Sequence, residues 1–225
     1  MNILNKLEKA IIISSQAMYD EPFYNPIAME AMIKTVVFGG AQGLRVAGGR
    51  DVAIAKNCCN LPIIGLTKPK YIPENFKEVV YITPTIQDVE TIKEADIIAF
   101  DGTSRKRPEN ETRLDIINHI HNLNKLAMAD ISTFEEGVEA FEEGADIIST
   151  TLAGYTSYSK SSERPDFDLL QKLTKHLKCP IILEGRIWEP LDVKKAFELG
   201  AWAVVIGSAV TRPHHIVRRF CNFSK

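Results

Sequence analysis

Short runs of consecutive apolar residues alternate along the chain with longer segments whose apolar positions recur every three or four residues. The runs are Ala10–Ser15, Gly43–Val46, Pro62–Leu66, Asp96–Phe100, Leu126–Ala129, Asp146–Thr151, Pro180–Leu183 and Ala203–Ile206. In most of them aliphatic and β-branched residues stand side by side instead of alternating with polar ones. That is the pattern of parallel strands covered on both faces. The segments between them have helical period; from Phe134 to Glu143, for instance, Phe134, Val138 and Phe141 share one predicted face. Gly40-Ala41, Gly144-Ala145 and Gly200-Ala201 precede the second, sixth and eighth strands. A glycine there can close a helix in the left-handed conformation. Glu94-Ala95-Asp96 holds the same place before the fourth strand without the glycine. Eight β–α units in 225 residues predict an α/β fold, a single-domain (β/α)8 barrel over residues 1–225. A doubly wound open sheet shares the alternation and is the competing architecture.

In such a barrel, chemistry gathers at the C-terminal ends of the strands. The polar residues in or just after the apolar runs are Gln16, Arg45, Lys68, Asp101, Asp130, Thr150, Thr151 and Glu184. Asp101 and Asp130 each precede small polar residues and also read as helix caps. Lys68 and Glu184 follow buried strands, where a charge needs a partner or a purpose. They form either a structural salt bridge or an acid/base pair tuned by a partly dry pocket. A second group suits an anion. Glu184-Gly185-Arg186 follows strand seven, and Gly207-Ser208-Ala209 follows strand eight and leads to Thr211-Arg212-Pro213. Small residues let backbone N–H groups approach a phosphate, and phosphate sites of these barrels occupy the same two loops. Two ordinary tight turns are the alternative.

Composition narrows the function class. The chain carries 27 Lys+Arg against 29 Asp+Glu, a formal net charge of −2, which excludes a globally basic nucleic-acid binder. No apolar run approaches the roughly 18 residues of a membrane span, and the start of the chain lacks a signal-type apolar stretch. Cys58, Cys59, Cys179 and Cys221 form no CxxC pair, which points to reduced thiols and a cytoplasmic protein. His119, His121, His176, His214 and His215 lack metal-binding spacing, so no metal is expected. No GxGxxG or Walker A motif appears, so no nucleotide cofactor is implied. Arg105-Lys106-Arg107 reads as a solvated loop, or as charge for an anion at the mouth. Asn110-Glu111-Thr112 and Asn222-Phe223-Ser224 fit a glycosylation pattern that has no meaning without secretion.

Taken together, several stretches make the chain resemble the bacterial N-acetylmannosamine-6-phosphate 2-epimerases from about Ile11 to Phe220. They are Ser15-Gln16-Ala17 with Asp20-Glu21-Pro22, Gly43-Leu44-Arg45, Pro62-Ile63-Ile64-Gly65 with Lys68, and Tyr81-Ile82-Thr83-Pro84-Thr85. Ala127 to Thr133, Ser149 to Leu152 with Gly154-Tyr155-Thr156, Glu184 to Ile187 and Thr211-Arg212-Pro213 complete the set. The resemblance implies a cofactor-free, commonly dimeric barrel enzyme of sialic acid and amino-sugar catabolism. It implies Lys68 and Glu184 as the catalytic residues. It also implies Gln16, Arg45, Asp130 and Tyr155 as sugar contacts, and Gly185, Arg186, Gly207, Ser208 and Arg212 as phosphate contacts. Three departures stand out: Ser208 replaces a usual second glycine, Pro69-Lys70 follows Lys68 where arginine is common, and the segment from Tyr71 to Val80 is longer than usual.

The implied chemistry is coherent. In an open-chain N-acetylhexosamine, C2 adjoins the C1 aldehyde, so an enolate can form once a base removes the C2 proton. Lys68 serves as a base only when neutral; charged, it would instead stabilise the enolate. Asp130 would orient Lys68 or a sugar hydroxyl, and Arg45 would meet the phosphate or the N-acetyl side. Another phosphate-binding barrel lyase or synthase, and a silent sugar-phosphate sensor, are the competing functions.

Overall fold

The apolar runs become eight short parallel strands. A computed structural model of the chain describes residues 3–222. The Phe223-Ser224 end of the second glycosylation-type tripeptide therefore lies outside the described residues. The strands are β1 (Ile11–Ser15), β2 (Gly43–Ala47), β3 (Ile63–Leu66), β4 (Ile97–Asp101), β5 (Leu126–Asp130), β6 (Ile147–Ser149), β7 (Ile181–Glu184) and β8 (Ala203–Ile206). The helices are α1 (Ile3–Lys6), α2 (Pro26–Phe38), α3 (Gly49–Cys58), α4 (Ile86–Thr91), α5 (Arg113–Asn122), α6 (Phe134–Glu142), α7 (Phe167–His176), α8 (Pro190–Glu198), α9 (Ser208–Thr211) and α10 (Pro213–Asn222). Each strand pairs in parallel with the next in sequence, and β8 returns to β1 with Ile11 opposite Val204. Closure of this ring excludes the open sheet.

Consecutive residues of one strand feed two apolar clusters, which explains the unbroken hydrophobic runs. Ile64, Leu66, Ile97 and Ala99 pack in the barrel interior with Ile12, Met128, Ile182 and Val205. Their neighbours Ile63, Ile98 and Phe100 pack outward against helix residues such as Met29, Ile33, Ile116 and Leu170. The interior is sealed at the N-terminal end by Leu7 and by Trp202, whose indole N–H donates to the carbonyl of Leu4. No described helix is long and apolar enough to cross a membrane.

Local chemistry sets the element ends. Gly40, Gly144 and Gly200 have φ of 96°, 104° and 92°, the left-handed helix endings that the sequence pattern predicts. Two expectations need correction. The fully buried residues of α6 are Glu136, Gly137 and Ala140; of the predicted face, Phe134 and Val138 pack half-buried against the core, while Phe141 is exposed. Gly137 sits there because a Cβ would come 2.6 Å from Leu173, so the closest approach is made by small residues and Phe141 stays outside. Strand six ends at Ser149 rather than Thr151, because Thr150–Leu152 turns into a 3-10 segment. That turn carries two hydroxyls into the mouth.

Candidate active site

The top of the barrel interior is polar, and Arg45 organises it. Its side chain is 1% exposed, so its charge needs partners close by. Asp130 supplies both of its oxygens: Nη1 donates to Oδ1 at 3.0 Å and Nη2 to Oδ2 at 2.5 Å. Nη1 also lies 2.8 Å from Oε2 of Glu184. β2, β5 and β7 are separate staves of the barrel, so the guanidinium ties three of them together across the interior. Burial opposes the charge, but the two carboxylates outweigh burial and raise the pKa of Arg45. The sequence expectation put Arg45 against the phosphate or the N-acetyl side. The geometry gives it two carboxylates instead, with Nε the remaining unpartnered nitrogen. Asp130 caps no helix; that role falls to Thr133, which forms a capping box with Glu136.

Glu184 ends β7 and is held at both ends. Its backbone N–H donates to Thr150 Oγ1 at 3.1 Å, and the same hydroxyl donates to its carbonyl at 3.1 Å. Its side chain is 13% exposed. Burial, with the nearby Asp130 charge, pushes its carboxyl above the usual range; Arg45, Thr151 and Lys68 pull the other way. Lys68 is half-buried just beyond β3 and makes no hydrogen bond or salt bridge among the described residues. Burial lowers its pKa to about 8, assisted by the positive charges of Arg45 and Arg212 and opposed by Glu184 and Asp130. A cavity of about 290 Å³ adjoins it, walled also by Pro69, Tyr71, Tyr81 and Pro84. An amine poised near neutrality and a carboxyl raised from its normal range make an acid/base pair.

The two loops predicted to bind an anion present free amides. Among the described residues, the N–H groups of Gly185, Arg186, Gly207 and Ser208 donate to no other group. Gly185 (φ 109°) and Arg186 (φ 58°) both turn in the left-handed region at the end of β7. Thr211 Oγ1 fastens the second loop to β1 by donating to the Ser14 carbonyl at 2.6 Å. Arg212 pairs with Glu21 at 2.6 Å. Arg186 folds back instead: Nη1 donates to the Ala153 carbonyl at 2.7 Å, and the guanidinium stacks on Tyr155, 4.4 Å from its centroid. Tyr155 itself is exposed. Gln16 follows β1, donates to Ser14 Oγ at 2.8 Å, and leaves its buried Oε1 without a partner.

Other sequence expectations resolve differently. Arg105 and Arg107 are buried, so the basic run is not a solvated loop. Arg105 pairs with Asp101 at 2.6 Å and donates to the Phe76 carbonyl; Arg107 donates to the carbonyls of Asp101 and Pro84. They clamp the segment after Lys68 onto β4. A cavity of about 310 Å³ near them has Arg113 and Glu143 in its wall, already paired with each other. His119 and His121 meet Glu90 and Asp146. No metal group was expected from spacing, yet Glu21, His214 and His215 bring ligand-type atoms within 4.8 Å of one another. Arg212 already takes one Glu21 oxygen there, and its charge opposes a cation.

Thr150 and Thr151 stood among the strand-end polar residues, and Glu21 among the stretches of the resemblance, but none of them was given a role. Thr151 Oγ1 lies 2.7 Å from Asp130 Oδ1 and 3.0 Å from Glu184 Oε2. Its position at the end of an apolar run was the available signal.

Comparison with known proteins gives a consistent answer. A family model described as "Putative N-acetylmannosamine-6-phosphate epimerase" matches residues 29–225. A relative from Caldanaerobacter subterraneus subsp. tengcongensis, named "Putative N-acetylmannosamine-6-phosphate 2-epimerase", is 45% identical over 100% of this chain and 95% of its own length. A relative of the same name from Clostridium perfringens is 44% identical, covering 99% of this chain and 100% of its own. The solved structure of the N-acetylmannosamine-6-phosphate 2-epimerase from Clostridium perfringens superposes with a TM-score of 0.94 at 43% identity, covering 99% of this chain and 96% of that one. A thiamine phosphate pyrophosphorylase from Pyrococcus furiosus, at TM-score 0.60 and 15% identity, shares the fold alone.

Proposed function

The chain belongs to the N-acetylmannosamine-6-phosphate 2-epimerase family, and on that premise we propose that it interconverts N-acetylmannosamine 6-phosphate and N-acetylglucosamine 6-phosphate by proton exchange at C2. The observation that carries this reading is one electrostatic neighbourhood at the barrel mouth holding Lys68, Glu184, Arg45 and Asp130. Glu184 takes the C2 proton from one face and Lys68 returns one to the other; the roles reverse for the opposite direction. The lowered pKa of Lys68, about 8, puts its neutral, basic form within reach near neutrality. The buried Arg45–Asp130 pair holds Glu184 in place.

The four free amides of the β7 and β8 loops, with Arg212 beside them, receive the phosphate. Ser208 keeps its amide available there despite replacing a glycine. Gln16 Oε1, buried and unpartnered, accepts from a sugar hydroxyl or the N-acetyl N–H, and Tyr155 borders the sugar. No cofactor takes part. The substrate is a small phosphorylated amino sugar, and the pathway is sialic acid and amino-sugar catabolism. Cys58, Cys59 and Cys179 are free thiols, in keeping with a cytoplasmic location. The enzyme works as a homodimer: α10 buries no residue against its own barrel and leaves Val217 and Phe220 exposed.

Steady-state kinetics on Lys68→Met and Glu184→Gln test the reading. Each lowers kcat by at least roughly 10²-fold with the fold kept. A raised KM at unchanged kcat would remove the residue from the acid/base role. Lys68→Arg, which cannot release its proton, is as inactive as Lys68→Met if Lys68 must act as a base.

A further inference from the structure

Thr151 touches both carboxylates of the site through a single hydroxyl oxygen, beside the Arg45 nitrogen that also reaches both. Its Oγ1 lies 2.7 Å from Asp130 Oδ1, 3.0 Å from Glu184 Oε2 and 2.9 Å from Ser149 Oγ. A threonine hydroxyl owns one proton and two lone pairs. Ser149 can fill a lone pair by donating. The one proton of Thr151 then cannot serve Asp130 and Glu184 fully at the same time. The carboxylates are otherwise held by the same Arg45 nitrogen, with Nη1 at 3.0 Å and 2.8 Å from them.

We propose that Thr151 is a positioning residue whose single hydroxyl proton turns from Glu184 to Asp130 when Glu184 takes the C2 proton, and back when Glu184 gives it up. While Glu184 is ionised, the hydroxyl donates to it. Once Glu184 is protonated, rotation about the Cβ–Oγ bond hands the donor to the still-ionised Asp130. No proton leaves Thr151, no bond is made or broken at it, and no heavy atom moves. The hydroxyl therefore donates to an ionised carboxylate on either side of the proton transfer, and Glu184 has it whenever Glu184 is charged. Arg45 from β2 serves both states equally, and Lys68 beyond β3 adds its charge from across the mouth. The fixed backbone of Glu184, clamped by Thr150, keeps Oε2 within reach throughout.

The inference rests on Glu184 being a base in the proposed epimerisation, and the experiment separates the two. The pH dependence of kcat/KM is measured for the wild type, Thr151→Val, Thr151→Ala and Thr151→Ser, with Glu184→Gln alongside. Asp130 already takes two Arg45 nitrogens, so loss of the hydroxyl costs ionised Glu184 more than it costs Asp130, and the acid limb moves up by about half a pH unit in Thr151→Val and Thr151→Ala. Thr151→Ser, which restores a hydroxyl, returns the limb to the wild-type position. If Thr151→Val does not fold, the alanine variant carries the comparison. An acid limb unmoved in a folded valine or alanine variant, or one that serine fails to restore, overturns the role of Thr151 and leaves the epimerase reading intact. Full turnover by Glu184→Gln overturns both.

Discussion

At the scale of single residues, the site works by crowding charges that oppose one another. Lys68 is held beside two guanidinium groups in a partly dry position, and burial lowers its pKa to about 8. Glu184 is pushed upward by burial and by Asp130. Productive catalysis needs one proton between them: Glu184 ionised with Lys68 charged in one direction, Glu184 protonated with Lys68 neutral in the other. Below the titration of Glu184 both hold protons, and above that of Lys68 neither does. The kcat/KM profile is therefore a bell with its basic limb near pH 8 in both directions. A rate that stays flat to pH 10 would show that Lys68 does not titrate in the reaction. The charged candidates were legible in the sequence because a buried strand running into a lysine or a glutamate is anomalous. Their partnerships were not. Arg45 and Asp130 stand 85 positions apart, and a bidentate contact over that separation follows from barrel closure, which no local pattern encodes. Thr151 was named at its strand end, but its role was illegible for a related reason: a hydroxyl there looks ordinary until both carboxylates arrive beside it.

At the scale of elements, strand placement followed the hydrophobic runs closely, because strands buried on both faces leave little ambiguity. The differences lie at strand ends. β4 and β5 run on to include Asp101 and Asp130, and β6 stops early so that Thr150 and Thr151 can turn inward. The α6 face held for Phe134 and Val138 but not for Phe141, because periodicity weights large residues, whereas the closest docking of that helix uses Gly137 and Ala140. β3 shows the same economy. A Cβ on Gly65 would lie 2.7 Å from Ala95 Cβ and 3.2 Å from Val52 Cγ2, neither of which can swing away. Gly65→Val is expected to destabilise the barrel by about 1–3 kcal/mol by overpacking. It also displaces the strand that leads to Lys68. Urea unfolding measures the first effect; a midpoint equal to the wild type's would mean that β3 and its covering helices are not packed this tightly.

At the scale of the whole molecule, closure of eight strands puts residues from β2, β3, β5, β7 and β8 around one mouth. One rim carries the proposed acid/base groups and another the free amides proposed to receive the phosphate. The amphipathic α10 lies outside this ring with no buried residue, and its Val217 and Phe220 face outward. A second copy covers that face in the proposed dimer. The double variant Val217→Asp, Phe220→Asp is accordingly expected to run as a folded monomer in analytical ultracentrifugation, where the wild type sediments as a dimer. A wild-type monomer would refute the dimer, and a variant that still dimerises would move the interface elsewhere.

The exchange of protons between two bases is tested most directly by proton NMR of N-acetylmannosamine 6-phosphate turned over in D₂O. If Glu184 removes the C2 proton from one face and Lys68 delivers a solvent-derived one to the other, product carries deuterium at C2 from the first turnovers. The unreacted substrate keeps its protium over the same period. Product that retains the original hydrogen, or substrate that exchanges before it converts, would contradict the two-base account; absence of any conversion would contradict the epimerase itself.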